Sequence, residues 1–292
     1  MKLSQAFAEQ DFVVTGEVGP PKGATVEEVL AGGRIMKDYV TAVNVTDNQS
    51  AVMRLGSLAV SRLLKEEGIE PVFQMVCRDR NRIALQSDLL SAEVLDIDNV
   101  LIITGDHMAL GDHPGAKPVF GLDSVQLLEV ARGLNEGYDM EGNELEAPTD
   151  LCLGAVVSPA SAQLDMQIMK LKKKVEAGAE FIQTQAVYDP VAFGEFMEKV
   201  EGLGVPIMAG IVPVKSAGMA KYMNANVAGV QVPEEIIQRM ADTPKEDRKQ
   251  VATEITAEFM HDIKDICQGA HIMPQGWDDI IPGAVKMAGL AD

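Results

Sequence analysis

The fold class this sequence predicts is a (β/α)8 TIM barrel, a single domain over residues 1–292. Three observations predict it. Short apolar, β-branched runs alternate with helical segments until eight strands have been counted. Three of those runs lead directly into a buriable polar residue (Glu17, Asp106 and Gln185), which is where a parallel α/β enzyme places its chemistry. Finally, a hydrophobic content of 47% supplies one full core, and neither a linker nor a useful internal repeat divides the chain.

The elements follow in order. Residues 12–17 form the first apolar run, and a helix over 26–39 follows, with Thr25 as its N-cap and Glu27 and Glu28 where the helix dipole favours acids. Run 41–46 precedes a helix over 50–67, stopped by Gly68. Runs 71–76 and 99–104 flank a helix over 82–95. A helix over 123–135 stops near Gly137 and leads to run 151–157. The helix over 161–177 sets Ile168, Leu171 and Val175 on one face and ends at Gly178. Run 181–186, a helix over 191–203 and run 206–212 come next. Helices over 217–224, 234–241 and 245–267 precede the last run, 270–273. Of two long loops, 107–122 falls on the catalytic face of such a barrel and the acidic 138–150 on the opposite face.

Composition narrows the function. A formal charge of −19, from 44 acids against 25 bases, argues against binding a phosphate backbone, so no nucleic-acid partner is expected. Residues 1–10 are too short and polar for a signal peptide, and no stretch approaches the ~18 apolar residues of a membrane span. Cys77, Cys152 and Cys267 are scattered without a Cys-x-x-Cys pair, which speaks against a disulfide framework or a metal cluster and for the reducing cytoplasm. His107, His113, His261 and His271 show no metal spacing. Neither a Gly-x-Gly-x-x-Gly after a strand nor a Walker loop nor a Gly-x-Ser-x-Gly is present.

The strand-end residues carry the candidate chemistry. Glu17, held rigid by the following Gly-Pro-Pro and partly desolvated, suits general acid work; the competing reading is a salt-bridged glutamate at the barrel rim. Asp106 either meets a ligand or caps its own loop, and Gly105 beside it admits a flat ligand close to the backbone. Period two puts Phe181, Gln183 and Gln185 on one face of their strand. Inward glutamines need hydrogen bonds, from a polar heterocycle or from one another. Lys172, Lys173 and Lys174 read as a solvated face unless their helix lines a cofactor groove. Trp277 either stacks on an aromatic ligand or closes the barrel bottom.

Taken together, Glu17-x-x-Pro20-Pro21, Asn44-Val-Thr-Asp47, Cys77-Arg-Asp-Arg-Asn81, Leu101-x-x-Thr104-Gly105-Asp106, Leu171-Lys-Lys-Lys-Val-Glu-Ala-Gly-Ala179 and Thr184-Gln185 resemble the methylenetetrahydrofolate reductase family across nearly the whole chain. The resemblance implies a (β/α)8 barrel with a non-covalent flavin, FAD rather than FMN, that reduces 5,10-methylenetetrahydrofolate to 5-methyltetrahydrofolate. It makes Glu17 the general acid that helps open the folate ring to an iminium, with hydride from the reduced flavin. Asp106 would bind the pterin and tune the flavin, with Gln185, Tyr222 and Met223 also on the substrate. Flavin contacts carry over to Thr46, Asp47, Gln74, Thr104, Gly105, Asp106, Leu122, Lys170, Lys173 and Lys174.

The chain also departs from the family pattern. Val157-Ser-Pro-Ala-Ser161 stands where members carry Tyr-Pro-x-x-His-Pro, and Gln74 stands in place of a histidine. The ending Ala270-His-Ile-Met-Pro-Gln-Gly-Trp277 resembles a subgroup of anaerobic one-carbon metabolism whose members work with partner subunits. The implied electron donor is therefore NAD(P)H or a partner protein, with homo- or hetero-oligomers expected. The competing reading is a flavin subunit of a multi-protein electron-transfer complex, without activity of its own.

Overall fold

All eight apolar runs become parallel strands, and the eighth pairs back onto the first. The computed structural model describes residues 1–291. Its strands are β1 (Val13–Val18), β2 (Ala42–Val45), β3 (Pro71–Val76), β4 (Asn99–Ile103), β5 (Cys152–Val157), β6 (Phe181–Ala186), β7 (Ile207–Ile211) and β8 (Gly269–Ile272). They hydrogen-bond in sequence order into a closed barrel, with Thr15 in register with Ala42 on one side and His271 on the other. Closure removes every sheet edge.

Around the barrel run α1 (Leu3–Glu9), α2 (Glu27–Met36), α3 (Ser57–Glu66), α4 (Arg82–Val94), α5 (Ser124–Asn135), α6 (Leu164–Glu176), α7 (Pro190–Val200), α8 (Ala217–Asn226), α9 (Glu234–Asp242), α10 (Arg248–Ile263) and α11 (Ile280–Met287). The strand alternation sorts their side chains. Val14, Val43, Phe73, Ile102, Leu153 and Ile182 pack outward in the layer shared with the helices. Val13, Val72, Leu101, Cys152, Phe181 and Met208 form a separate interior cluster with Leu3 and Ala6 of α1, which plugs the N-terminal end. The Phe181 ring fills the space beside Gly154, where a Cβ would stand 2.2 Å from it. Above this apolar layer the interior turns polar: Thr15, Asn44 and Gln183, all buried, lie on the way to the C-terminal mouth. Asn44 and Gln183 satisfy each other, Nδ2 donating to Oε1 at 2.8 Å and Nε2 to Oδ1 at 3.2 Å. Internal pairing is thus what answers the cost of an inward Gln183.

Several expectations are corrected. The helix expected from residue 50 starts only at Ser57; residues Gln49–Ala51 form a 3-10 turn in which Ser50 and Ala51 have φ of 57° and 58°. The backbone N–H groups of Arg54 and Ala51 bond to the side-chain and main-chain oxygens of Asn48, which winds this segment away from a helix. Thr25 does not cap α2: the boundary residue is Val26, with no side-chain cap, although Glu27 and Glu28 do occupy the first turn. The helix expected over 245–267 is narrowed to α10. Two helices, α1 and α11, lie where the sequence suggested none, because both are short and α11 carries Pro282 and Gly283 within it. Trp277 does not close the barrel bottom, which α1 fills; it follows β8, with Lys215 and Lys249 ammonium groups 5.0 and 5.6 Å from its ring centroid.

Candidate active site

A cavity of about 360 Å³ opens at the C-terminal mouth, with Leu101, Ile103 and Val156 among its apolar lining and charged, amide or imidazole groups from six strand ends around them. That mixture of a greasy wall and a few convergent polar groups is the usual make-up of a small-molecule site.

Glu17 enters from β1, 8% exposed. Its Oε2 accepts from Gln74 Nε2 at 3.1 Å, and His271 Nε2 stands 3.6 Å from the same oxygen. The other ring nitrogen, His271 Nδ1, is 2.9 Å from the Thr15 hydroxyl. Period-two spacing puts Thr15 and Glu17 on one face of β1, and barrel closure puts β8 alongside. Gln185 lines the cavity from β6, where the pairing with β7 breaks register between Gln183 and Ala186; its Oε1 accepts from the Ala186 N–H at 2.9 Å.

Asp47, Thr104, Gly105 and Asp106 line the rim. Asp47 is committed to structure: its Oδ2 accepts from the Val76 N–H at 3.0 Å and from Arg80 Nη1 at 2.6 Å. Thr104 Oγ1 lies 3.2 Å from Ser124 Oγ. The Asp106 side chain is exposed rather than buried, which leaves it free to face a ligand. Gly105, at φ 91°, takes a backbone shape that side chains disfavour.

Among the lysines only Lys174 reaches the cavity. Its Nζ donates to the Val156 carbonyl at 2.6 Å. Burial pushes its pKa down to about 8, with the nearby Lys170 charge adding to the effect and Asp123 opposing it. Lys170 and Lys173 are exposed on α6, outside the lining. Leu122 belongs to the outer core and Met223 to a separate cluster near Tyr188, whose hydroxyl donates to the Val212 carbonyl at 2.7 Å. Tyr222 is 64% exposed on α8. Leu122, Met223 and Tyr222 all lie outside the cavity lining, the last two because α8 packs beside the barrel mouth on its own small core. Thr46 is likewise outside the lining, though its Oγ1 is buried without a partner among the described residues.

Residues that sequence reasoning did not assign also stand here: His271, Arg78, Asn48 and Ser158. The alternation Ala270-His271-Ile272 was enough to turn His271 inward. Arg78 gave no such signal, because a charged run after a strand reads as a solvated loop.

The Lys174 environment gives a testable result. The folded-state pKa lies below the ordinary 10.5, so between about 8 and 10.5 the unfolded chain binds a proton that the folded one does not. Stability contributed at this site therefore rises with pH across that window, each tenfold loss of proton affinity on folding being worth about 1.4 kcal/mol. Lys174→Met should be the more stable apo-protein at pH 7, by roughly 1–3 kcal/mol, and the gap should close by pH 10.5. Urea denaturation of both proteins across this range checks it; a pH-independent gap refutes it.

Comparison with known proteins adds the remaining facts. The family model described as Methylenetetrahydrofolate reductase matches residues 2–281. Methylenetetrahydrofolate reductase 2 of Schizosaccharomyces pombe is 26% identical over 233 residues, covering 73% of this chain but 34% of the relative. The 5,10-methylenetetrahydrofolate reductase of Salmonella typhimurium is 25% identical over 269 residues, covering 88% of this chain and 84% of that one. The chain thus spans about a third of the length of the yeast relative. In three dimensions it is similar, at TM-score 0.67 and 15% identity over 99% of both chains, to a Clostridium thermocellum protein described as binding two copies of 5-methyl-5,6,7,8-tetrahydrofolic acid. At that identity the likeness is one of fold.

Proposed function

Because the chain belongs to the methylenetetrahydrofolate reductase family, we propose that it reduces 5,10-methylenetetrahydrofolate to 5-methyltetrahydrofolate with a non-covalently bound flavin. The observation that carries this reading is Glu17, a buried carboxylate at a strand end, in one cavity with Asp106 and Gln185.

The residues present fit a flavin. Apolar Leu101, Ile103 and Val156 suit a flat ring system, and the rim offers donors and acceptors at its edges. Lys174 is the cation available to a phosphate, with Asp47, Gln74, Thr104 and Gly105 around the same space. When bound, the flavin supplies the hydride. FAD rather than FMN is the form proposed, and the mass of the cofactor released on denaturation decides between them.

The chain's own residues do the rest. Asp106 and Gln185 orient the pterin by hydrogen bonds; Tyr222 and Met223 have no part in the reading. Glu17 gives its proton to the amine nitrogen that leaves as the folate ring opens, which exposes an electrophilic carbon to hydride. One proton and one hydride then account for the added methyl hydrogen and the freed amine. Gln74 and His271, both beside Oε2, stand to hold the carboxylate that remains.

The test is anaerobic. The protein-bound flavin is reduced chemically, methylenetetrahydrofolate is added, and flavin absorbance is followed. Reoxidation with formation of methyltetrahydrofolate is expected. A flavin that stays reduced overturns the stand-alone reductase and favours a subunit that needs a partner protein. Repeating the reduction with NADH or NADPH identifies the donor.

A further inference from the structure

Arg78 is the largest side chain buried to below 2% exposure, and its guanidinium is spent entirely on the loops that line the cavity. Nε and Nη2 bond both oxygens of Asp79 at 2.7 Å, a bidentate pair. Nη2 also donates to the Asn48 carbonyl at 3.0 Å, and Nη1 to the Asp106 carbonyl at 3.1 Å. Asp79 closes the arrangement by accepting from Asn48 Nδ2 at 3.2 Å. One planar cation thereby joins three loops: the one after β2 through Asn48, its own after β3, and the one after β4 through Asp106.

The two carbonyls it holds belong to unusual backbone. Asn48 is left-handed at φ 44°, a conformation that costs a non-glycine residue free energy and persists only where surrounding bonds enforce it. Asp106 follows Gly105 at φ 91°, and a Cβ built on that glycine would stand 3.2 Å from the Arg78 Cβ, so the arginine stem packs directly under the turn. The Arg78 carbonyl in turn accepts from the Val119 N–H at 2.8 Å, which pins the far end of the 107–122 loop. Side chains with one point charge lack the fork that bonds an acid and two carbonyls together.

We infer that Arg78 is a positioning residue: it aims Asp106 into the cavity and ties that aim to the Asn48 loop, so that folate binding depends on the guanidinium fork although the fork itself need not touch folate. The inference rests on the reading of Asp106 as a folate-binding group.

The experiment measures folate affinity on the oxidised, flavin-loaded protein, through the change in the flavin spectrum on titration, for wild type, Arg78→Lys, Asp106→Asn and the double variant. Arg78→Lys is expected to retain flavin and to bind folate about tenfold or more weakly, since small misplacements of a positioning group are costly. The double variant is expected to bind no more than about twofold worse than Asp106→Asn, because a residue acting through Asp106 has nothing left to lose. Effects that multiply, or a wild-type affinity in Arg78→Lys, overturn the inference. Should Arg78→Lys fail to fold, Asp79→Asn releases the fork while keeping the arginine. It should give the same loss and the same non-additivity with Asp106→Asn; additivity there also overturns the inference. Wild-type affinity in Asp106→Asn alone refutes the underlying reading of Asp106, and absence of folate binding by the wild type refutes the proposed function; neither result resembles the others.

Discussion

Glu17→Gln is expected to keep its flavin and lose the folate half-reaction by about 10²–10⁴-fold, the usual contribution of a positioned general acid. The substitution changes little else. Glutamine has the same shape, and its carbonyl oxygen still accepts the bond that Gln74 now donates at 3.1 Å. What it lacks is a transferable proton. The measurement is the rate at which chemically reduced flavin is reoxidised by methylenetetrahydrofolate in rapid mixing, beside the rate of flavin reduction by the donor. A selective loss in the first rate supports the acid role. Near-normal reoxidation would falsify it, and Glu17 would then be the salt-bridged rim glutamate of the competing reading.

The second large effect concerns stability. Asp47→Ala removes a carboxylate whose side chain is 1% exposed, and leaves both Arg80 and the Val76 N–H without that partner. Breaking a buried pair from one side costs roughly 3–5 kcal/mol, because the remaining charge stays desolvated. Arg80 keeps its contact to Asp88 at 2.7 Å, so the lower end is expected, about 3 kcal/mol. Asp47→Asn should fall between, since an amide oxygen still accepts from Val76. Urea unfolding of the apo-proteins checks the series. A loss below about 1 kcal/mol in Asp47→Ala would mean that Asp88 alone compensates Arg80.

How much was legible beforehand differs by element. Strands β3 and β6 begin and end where their apolar runs do, and the others shift by a residue at one or both ends. Runs bounded by turn residues and buried on both faces leave little freedom. The segment after β2 was the clearest failure. Residues 50–56 carry acceptable helix formers, yet Asn48 is drawn into the Arg78 and Asp79 cluster and the backbone turns left-handed. Tertiary bonds overrode propensity there. The lysine run divides by helical spacing: Lys174 turns toward β5, while Lys172 and Lys173 stay in water.

By itself the sequence determined the barrel, the order of its strands, the shared face of Phe181, Gln183 and Gln185, and the strand ends on which Glu17, Asp106 and Gln185 stand. These are local matters, decided by periodicity and burial within a few residues. Only the tertiary structure decided which of those residues meet. Thr15 and His271 are 256 positions apart and in hydrogen-bond contact because β8 closes against β1. The same closure sets His271 beside Glu17, and the buried fork of Arg78 draws three loops to one rim. Contacts of that kind depend on how the barrel shuts and which buried charge must be satisfied, and no pattern within one segment encodes either.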